Sequence, residues 1–297
     1  MDKNFQIIIP ELVSFDTKLD KLKGFNLSED FNFYKSQTKK EKFHYSLIVK
    51  NDIEIPKSYE FRNGYYFKYE DCWYYERKII PGISLKFKYD LKNRIFYFNR
   101  SYSLIPFEIG GILPIGKHIS DFINLDLFLN NYNVIRGCAF AYRGKNVIII
   151  SPIFNGKTTL LKDILIKGGK YIAEDLLIIN FFENKIYPSS PHLWNYSRKI
   201  NKELSGIDTH QIIDNSRNID QLNLLQNSIK PEMEYKPSKD LLDYLLINSL
   251  FFLTNLMLRS FIVEEGLSKK VMKKIGDISK IKKYSFLNIN DFKYFSK

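Results

Sequence analysis

The stretch that most constrains this chain is residues 146–160, NVIIISPIFNGKTTL. An unbroken apolar run leads into Gly-Lys-Thr-Thr, and an amphipathic run, TTLLKDILIKGG, follows and closes on Gly168-Gly169. The first run reads as a buried central strand. The second has helical spacing and a glycine C-cap. A chain passing from strand to helix N-terminus turns several backbone N–H groups into one concavity, which suits a phosphate. A Lys there reaches the outer phosphates, and the next hydroxyl holds magnesium. The full pattern, GxxxxGK[ST], is matched by Ser151-Pro152-Ile153-Phe154-Asn155-Gly156-Lys157-Thr158. Ser151 stands where the first Gly belongs, and Pro152 offers no N–H. Ser151, Asn155, Gly156, Lys157, Thr158 and Thr159 are the expected nucleotide-binding residues, and a plain strand–turn–helix is the alternative.

One helix further on, Glu174 and Asp175 lie inside an apolar strand, YIAEDLLII. Burying two adjacent acids is costly unless cations or a metal compensate them. On a strand they point to opposite faces. Near a γ-phosphate, one carboxylate can accept a hydroxyl proton and one can bind magnesium. The alternative is a pair of acids at a strand's exposed end.

The 297 residues suffice for one large domain or two ordinary ones. Residues 59–103 are dense in Tyr, Phe and Ile, broken by turn signals at Arg62-Asn63-Gly64, Glu70-Asp71 and Lys92-Asn93. SLKFKYDL and RIFYFNR alternate with period two, which predicts an antiparallel meander with one buried face. Residues 16–42 are more polar and suit a helix or an irregular connection. We place a domain boundary in the loop-rich stretch 106–114, giving a β-rich domain over 1–105 and an α/β domain over 106–297. The latter should open with a helix bearing Ile119, Phe122, Ile123, Leu127 and Leu129, capped near Ser120. Strands 134–143 and 146–151 should follow, turning at Gly144-Lys145, and then a strand over 171–182. Beyond Pro191 the pattern turns helical and polar.

A net charge of +12 is unevenly spread: residues 266–297 hold nine Lys against two Asp. Such a tail suits nucleic acid, an acidic peptide or a membrane, or is simply a solvated face. It lacks the interleaved aromatics and arginines of a nucleic-acid platform, so nucleic acid ranks last among the partners. Two cysteines, Cys72 and Cys138, allow no disulfide framework, and a reducing cytoplasm is the expected compartment. The four histidines show no metal-ligand spacing. The most apolar stretch, 241–263, is interrupted by Asp243, Asn248, Asn255 and Arg259, and reads as a buried helix, not a membrane span.

Residues 134–191, about a fifth of the chain, resemble the catalytic core of HPr kinase/phosphorylase and its relatives. That group shares its nucleotide-binding fold with ATP-dependent phosphoenolpyruvate carboxykinase. The matching features, in order, are Arg136-Gly137, NVIIIS, the Gly156-Lys157-Thr158-Thr159 loop, the Gly168-Gly169 helix end, and Ala173-Glu174-Asp175. Three positions depart from the family pattern. Arg136 replaces a His, Glu174 replaces the first of two Asp, and glycines are missing at 151 and 154.

The resemblance implies an α/β, mixed-sheet P-loop kinase core behind an N-terminal β-rich domain that binds substrate or partner. It implies ATP and magnesium, with Thr158 and Asp175 on the metal, Glu174 as base, and Lys157 and Arg136 on the phosphoryl group. The implied reaction transfers a γ-phosphoryl group to a Ser or Thr hydroxyl of a peptide or protein. Peptide natural-product precursors are among the substrates of such relatives, and oligomers are common among them. The competing expectation is a catalytically degenerate, pseudokinase-like scaffold or peptide-binding protein.

Overall fold

The computed structural model describes residues 6–17, 41–63, 65–104, 115–150, 157–189, 213–226 and 285–288. The chain divides into two compact units, residues 1–126 and 127–297. The boundary stretch 106–114, the apolar stretch 241–263 and most of 16–42 lie outside the described residues. At this level the chain is mixed α/β, with a mixed sheet in each unit.

In the first unit, eight described strands line up in the order β1-β2-β3-β8-β7-β6-β5-β4. They are β1 (Gln6–Ile9), β2 (Val13–Thr17), β3 (Phe43–Lys50), β4 (Phe61–Asn63), β5 (Tyr66–Tyr69), β6 (Cys72–Ile80), β7 (Ile83–Asp90) and β8 (Ile95–Asn99). β4 to β8 form the expected antiparallel meander. The turns close where Glu70 and Arg94 adopt left-handed φ of 52° and 54°. β3 departs from a meander: it pairs parallel with both β2 and β8, which makes the sheet mixed. The period-two pattern is realised as burial, with Leu85, Phe87 and Tyr89 inside and their neighbours facing out.

Helix α1 (Ile115–Leu129) covers this aromatic face. Phe122 packs on Trp73, Phe87, Tyr89 and Phe96. Each such buried ring contributes about 1.5–3 kcal/mol of transfer free energy, so the aromatic density of residues 59–103 is spent on core. The helix begins five residues before Ser120, which is buried within it and is not its cap. Two polar anchors fix its register. Asp126 accepts from Tyr45 Oη (2.8 Å) and from Arg94 Nε (2.6 Å). His118 lies between the Tyr66 and Tyr102 hydroxyls, at 3.1 and 2.6 Å.

In the second unit the described strands run β13-β12-β11-β9-β10-β14-β15. These are β9 (Asn133–Tyr142), β10 (Lys145–Ile150), β11 (Lys170–Asn180), β12 (Lys185–Tyr187), β13 (Arg217–Asn218), β14 (Gln221–Gln226) and β15 (Ser285–Asn288). β9 and β10 turn at Arg143-Gly144, one residue earlier than expected. Both residues have positive φ (50° and 74°), and Lys145 pairs with Tyr142. That geometry matches the right-handed strand twist. β14 runs parallel to β10, and β15 parallel to β14. These strands correct the expectation of a helical chain beyond Pro191, at least over the residues described there. β10 is thus central, and its four apolar residues, Val147 to Ile150, are all buried.

Candidate nucleotide site

Helix α2 (Lys157–Ile166) starts at the predicted lysine. It lies on the sheet face formed by Cys138, Phe140, Val147, Ile149 and Tyr171, which it covers with Leu160, Leu161, Ile164 and Leu165. Its C-terminus closes at Gly168 (φ 84°), and the Gly169 N–H donates to the Ile164 carbonyl at 2.9 Å. A Cβ at Gly169 would lie 2.4 Å from Ile164 Cγ2, so this helix end requires a residue without one.

The opposite face of the sheet is an apolar layer that includes Ile135, Ala139, Ile148, Ile150, Ile172 and Leu177. Strand β9 alternates between the faces, and Gly137 falls on the second. A Cβ there would lie 2.4 Å from the Ile149 carbonyl oxygen and 2.6 Å from Leu177 Cδ1. Gly137 therefore lets β9 seat closely between its neighbours.

Strand β11 carries the two acids, and its register decides what they meet. Tyr171 pairs with Phe140 and Ala173 with Ala139, so Ile172 is an extra residue. This bulge shifts the alternation by one. Glu174 comes opposite Cys138, on the α2 face, and Asp175 comes opposite Gly137. Without the extra residue Glu174 would sit in the all-apolar layer. Bulges commonly re-aim a side chain beside a functional site.

On the α2 face, Glu174 is buried and accepts a hydrogen bond from the Thr158 hydroxyl. Lys157, the first residue of α2, is buried as well. Both lie close enough to Cys138 to act on its thiol. Burial is the main cause that pushes this thiol up to about 12; the Glu174 carboxylate adds to the rise, and the Lys157 ammonium opposes it. The half-buried Arg136 occupies the same face of β9, two residues before Cys138. Lys157, Thr158 and Glu174 thus meet at the N-terminal end of α2, and Arg136 lies on the same face of the sheet.

Of the other predicted residues, Thr159 is exposed. Ser151, Asn155 and Gly156 lie outside the described residues, and Asp175 is described in its backbone only. Cys138, one of the two cysteines in the sequence, is buried beside Lys157 and Glu174. Its place opposite Glu174 follows from the bulge in β11.

A hydroxyl bonded to a buried carboxylate, beside a buried ammonium, is a set of hard oxygen donors with a cation at hand. It suits magnesium, which takes one or two carboxylates and completes its shell with phosphate oxygens and water. Among the described residues no three His, Cys, Asp or Glu side chains gather closely enough to hold a metal by themselves. Nor, among them, is any helix long and apolar enough to cross a membrane.

No family model matches the chain, and no curated protein matches it in sequence. A solved structure, the Hpr(Ser) kinase/phosphatase from Coxiella burnetii, is similar over 34% of this chain and 70% of its own, at 14% identity and a TM-score of 0.28. That likeness is weak.

Proposed function

We propose that the N-terminal end of α2 binds ATP with magnesium, and that the protein transfers the γ-phosphoryl group to a Ser or Thr hydroxyl of a peptide or protein. The observation that carries this reading is the Thr158–Glu174 hydrogen bond beside the buried Lys157. In P-loop NTPases the loop hydroxyl and an acid from a neighbouring strand share the magnesium ion. The bond between Glu174 and the Thr158 hydroxyl supports that assignment.

Lys157 would contact the β- and γ-phosphates, and Arg136 would stabilise charge developing on the transferred group. Magnesium, held from Thr158 and an acid of β11, would neutralise charge on the phosphate oxygens. The acceptor oxygen attacks the γ-phosphorus, the bond to the β–γ bridging oxygen breaks, ADP leaves, and the hydroxyl proton passes to a carboxylate. The family resemblance gives the base to Glu174 and the metal to Asp175. The Thr158 contact supports Glu174 on the metal side, with Asp175 as the second acid.

Calorimetric titration of ATP with magnesium tests the site. Wild type should bind and Lys157→Ala should not. Glu174→Gln and Asp175→Asn then separate the two tasks. The metal-side variant loses magnesium-dependent affinity, whereas the base variant keeps affinity and loses turnover with labelled ATP. Absence of binding to the wild type would refute the nucleotide reading. It would favour the pseudokinase alternative, to which the glycine-poor loop and the Arg at position 136 already point.

A further inference from the structure

The charges at the head of α2 balance without a nucleotide. Glu174 and Lys157 are each 7% exposed, and both act on the thiol of the fully buried Cys138. A carboxylate and an ammonium therefore share one buried region on the α2 face of the sheet. Each offsets the cost of burying the other. The Thr158 hydroxyl donates to the same carboxylate. With Arg136 on this face of β9 and Asp175 next along β11, two cations stand against two acids.

A triphosphate upsets that balance. Its tail adds several negative charges, and Lys157 turns from the carboxylate toward the outer phosphates. Glu174 then loses the compensation of Lys157 and meets a second anion. Like charges repel strongly where the local dielectric is low. Backbone N–H groups usually offset phosphate charge at such a loop, but Pro152 contributes none. A divalent cation arriving with the nucleotide removes the conflict, because carboxylate and phosphate oxygens are both hard ligands.

We propose that Glu174 is a charge filter: it admits ATP as the magnesium complex and rejects the free nucleotide. The inference rests on the nucleotide reading above and adds to it a repulsive role for this carboxylate. Specificity here comes from a penalty on the wrong ligand as well as from contacts to the right one.

Calorimetry on the full chain compares ATP in excess magnesium with ATP in EDTA. Wild type should bind the free nucleotide about a hundredfold more weakly, the order expected for two unit charges several ångströms apart in a partly buried site. Glu174→Gln keeps the shape and the acceptor for the Thr158 hydroxyl but removes the charge. In EDTA it should bind ATP at least about tenfold more tightly than wild type does. Glu174→Asp keeps the charge and should reject free ATP as wild type does. Circular dichroism confirms that the variants fold. Three results would overturn the filter and leave the nucleotide reading standing: equal wild-type affinity with and without magnesium, no gain for free ATP in Glu174→Gln, or the same gain in Glu174→Asp. A wild type that binds neither form refutes the nucleotide reading, and the filter falls with it.

Discussion

Gly137→Ala is the substitution whose effect follows most directly from the geometry. The added methyl would stand 2.4 Å from the Ile149 carbonyl oxygen and 2.6 Å from Leu177 Cδ1. Unstrained heavy-atom contacts to carbon lie near 3.5–4.0 Å, so both neighbours must give by about an ångström. Leu177 can change rotamer. The carbonyl cannot, because it belongs to β10, which is held between β9 and β14. Overpacking of this kind costs about 1–3 kcal/mol, and a rigid backbone partner argues for the upper half. Alanine restricts the unfolded chain, which returns about 0.4–1 kcal/mol. The net loss should be about 2 kcal/mol, or a fall in Tm of about 4–8 °C for a unit of this size. Urea denaturation followed by circular dichroism measures it. Because β9 also carries Arg136 and Cys138, calorimetry should show ATP affinity falling in the same variant. If Gly137→Ala equals wild type in both stability and nucleotide binding, the close seating of β9 is wrong, and with it the placement of the site.

Two further outcomes concern the first unit. Asp126→Ala leaves the Arg94 guanidinium and the Tyr45 hydroxyl without their shared acceptor. Breaking a buried pair costs about 3–5 kcal/mol. Arg94 is 30% exposed, so the low end applies. Urea denaturation of Asp126→Ala, Arg94→Leu and the double variant should show the double losing less than the sum; strict additivity would mean that the pair does not act as one. The second outcome is an alkaline loss of stability. Burial, first among the causes, raises the phenols of Tyr45, Tyr89 and Tyr102 well above their usual value. A raised folded-state value means that the folded protein keeps its proton longer. The contribution is whole below the unfolded value of about 10 and is lost as pH rises from there through the folded values. The urea midpoint should therefore fall above about pH 10. Tyr89→Phe should blunt that fall at little cost near neutrality, because its hydroxyl has no hydrogen-bond partner among the described residues. An unchanged alkaline profile in that variant would refute the assignment.

Much of the local structure was legible in the order of residues. The meander of residues 59–103, the apolar strand β10 and the helix opening at Lys157 depend on spacing and turn residues, which act over a few positions. The helix start at Lys157 and the strand carrying Glu174 were legible too, and the structure brings the Thr158 hydroxyl onto Glu174. What needed the tertiary structure was pairing. β3 joins the meander in parallel, and β14 and β15 extend the sheet beyond β10 from a region whose pattern suggested helix. β14 pairs with β10, and β15 with β14 in turn; such contacts are set by packing across long sequence separations, which periodicity does not encode.

The clearest division between the two levels falls inside β11. The sequence alone determined that Glu174 and Asp175 lie adjacent in an apolar strand, where burial would require compensation. Only the tertiary structure decided which of them meets the helix. One extra residue, Ile172, shifts the alternation and sets Glu174 beside Thr158, opposite Cys138. Side chains on a strand alternate with a period of two, so a single bulge exchanges the faces of every residue beyond it. No pattern along the chain marks where that exchange occurs, because the bulge is a property of the pairing between β9 and β11.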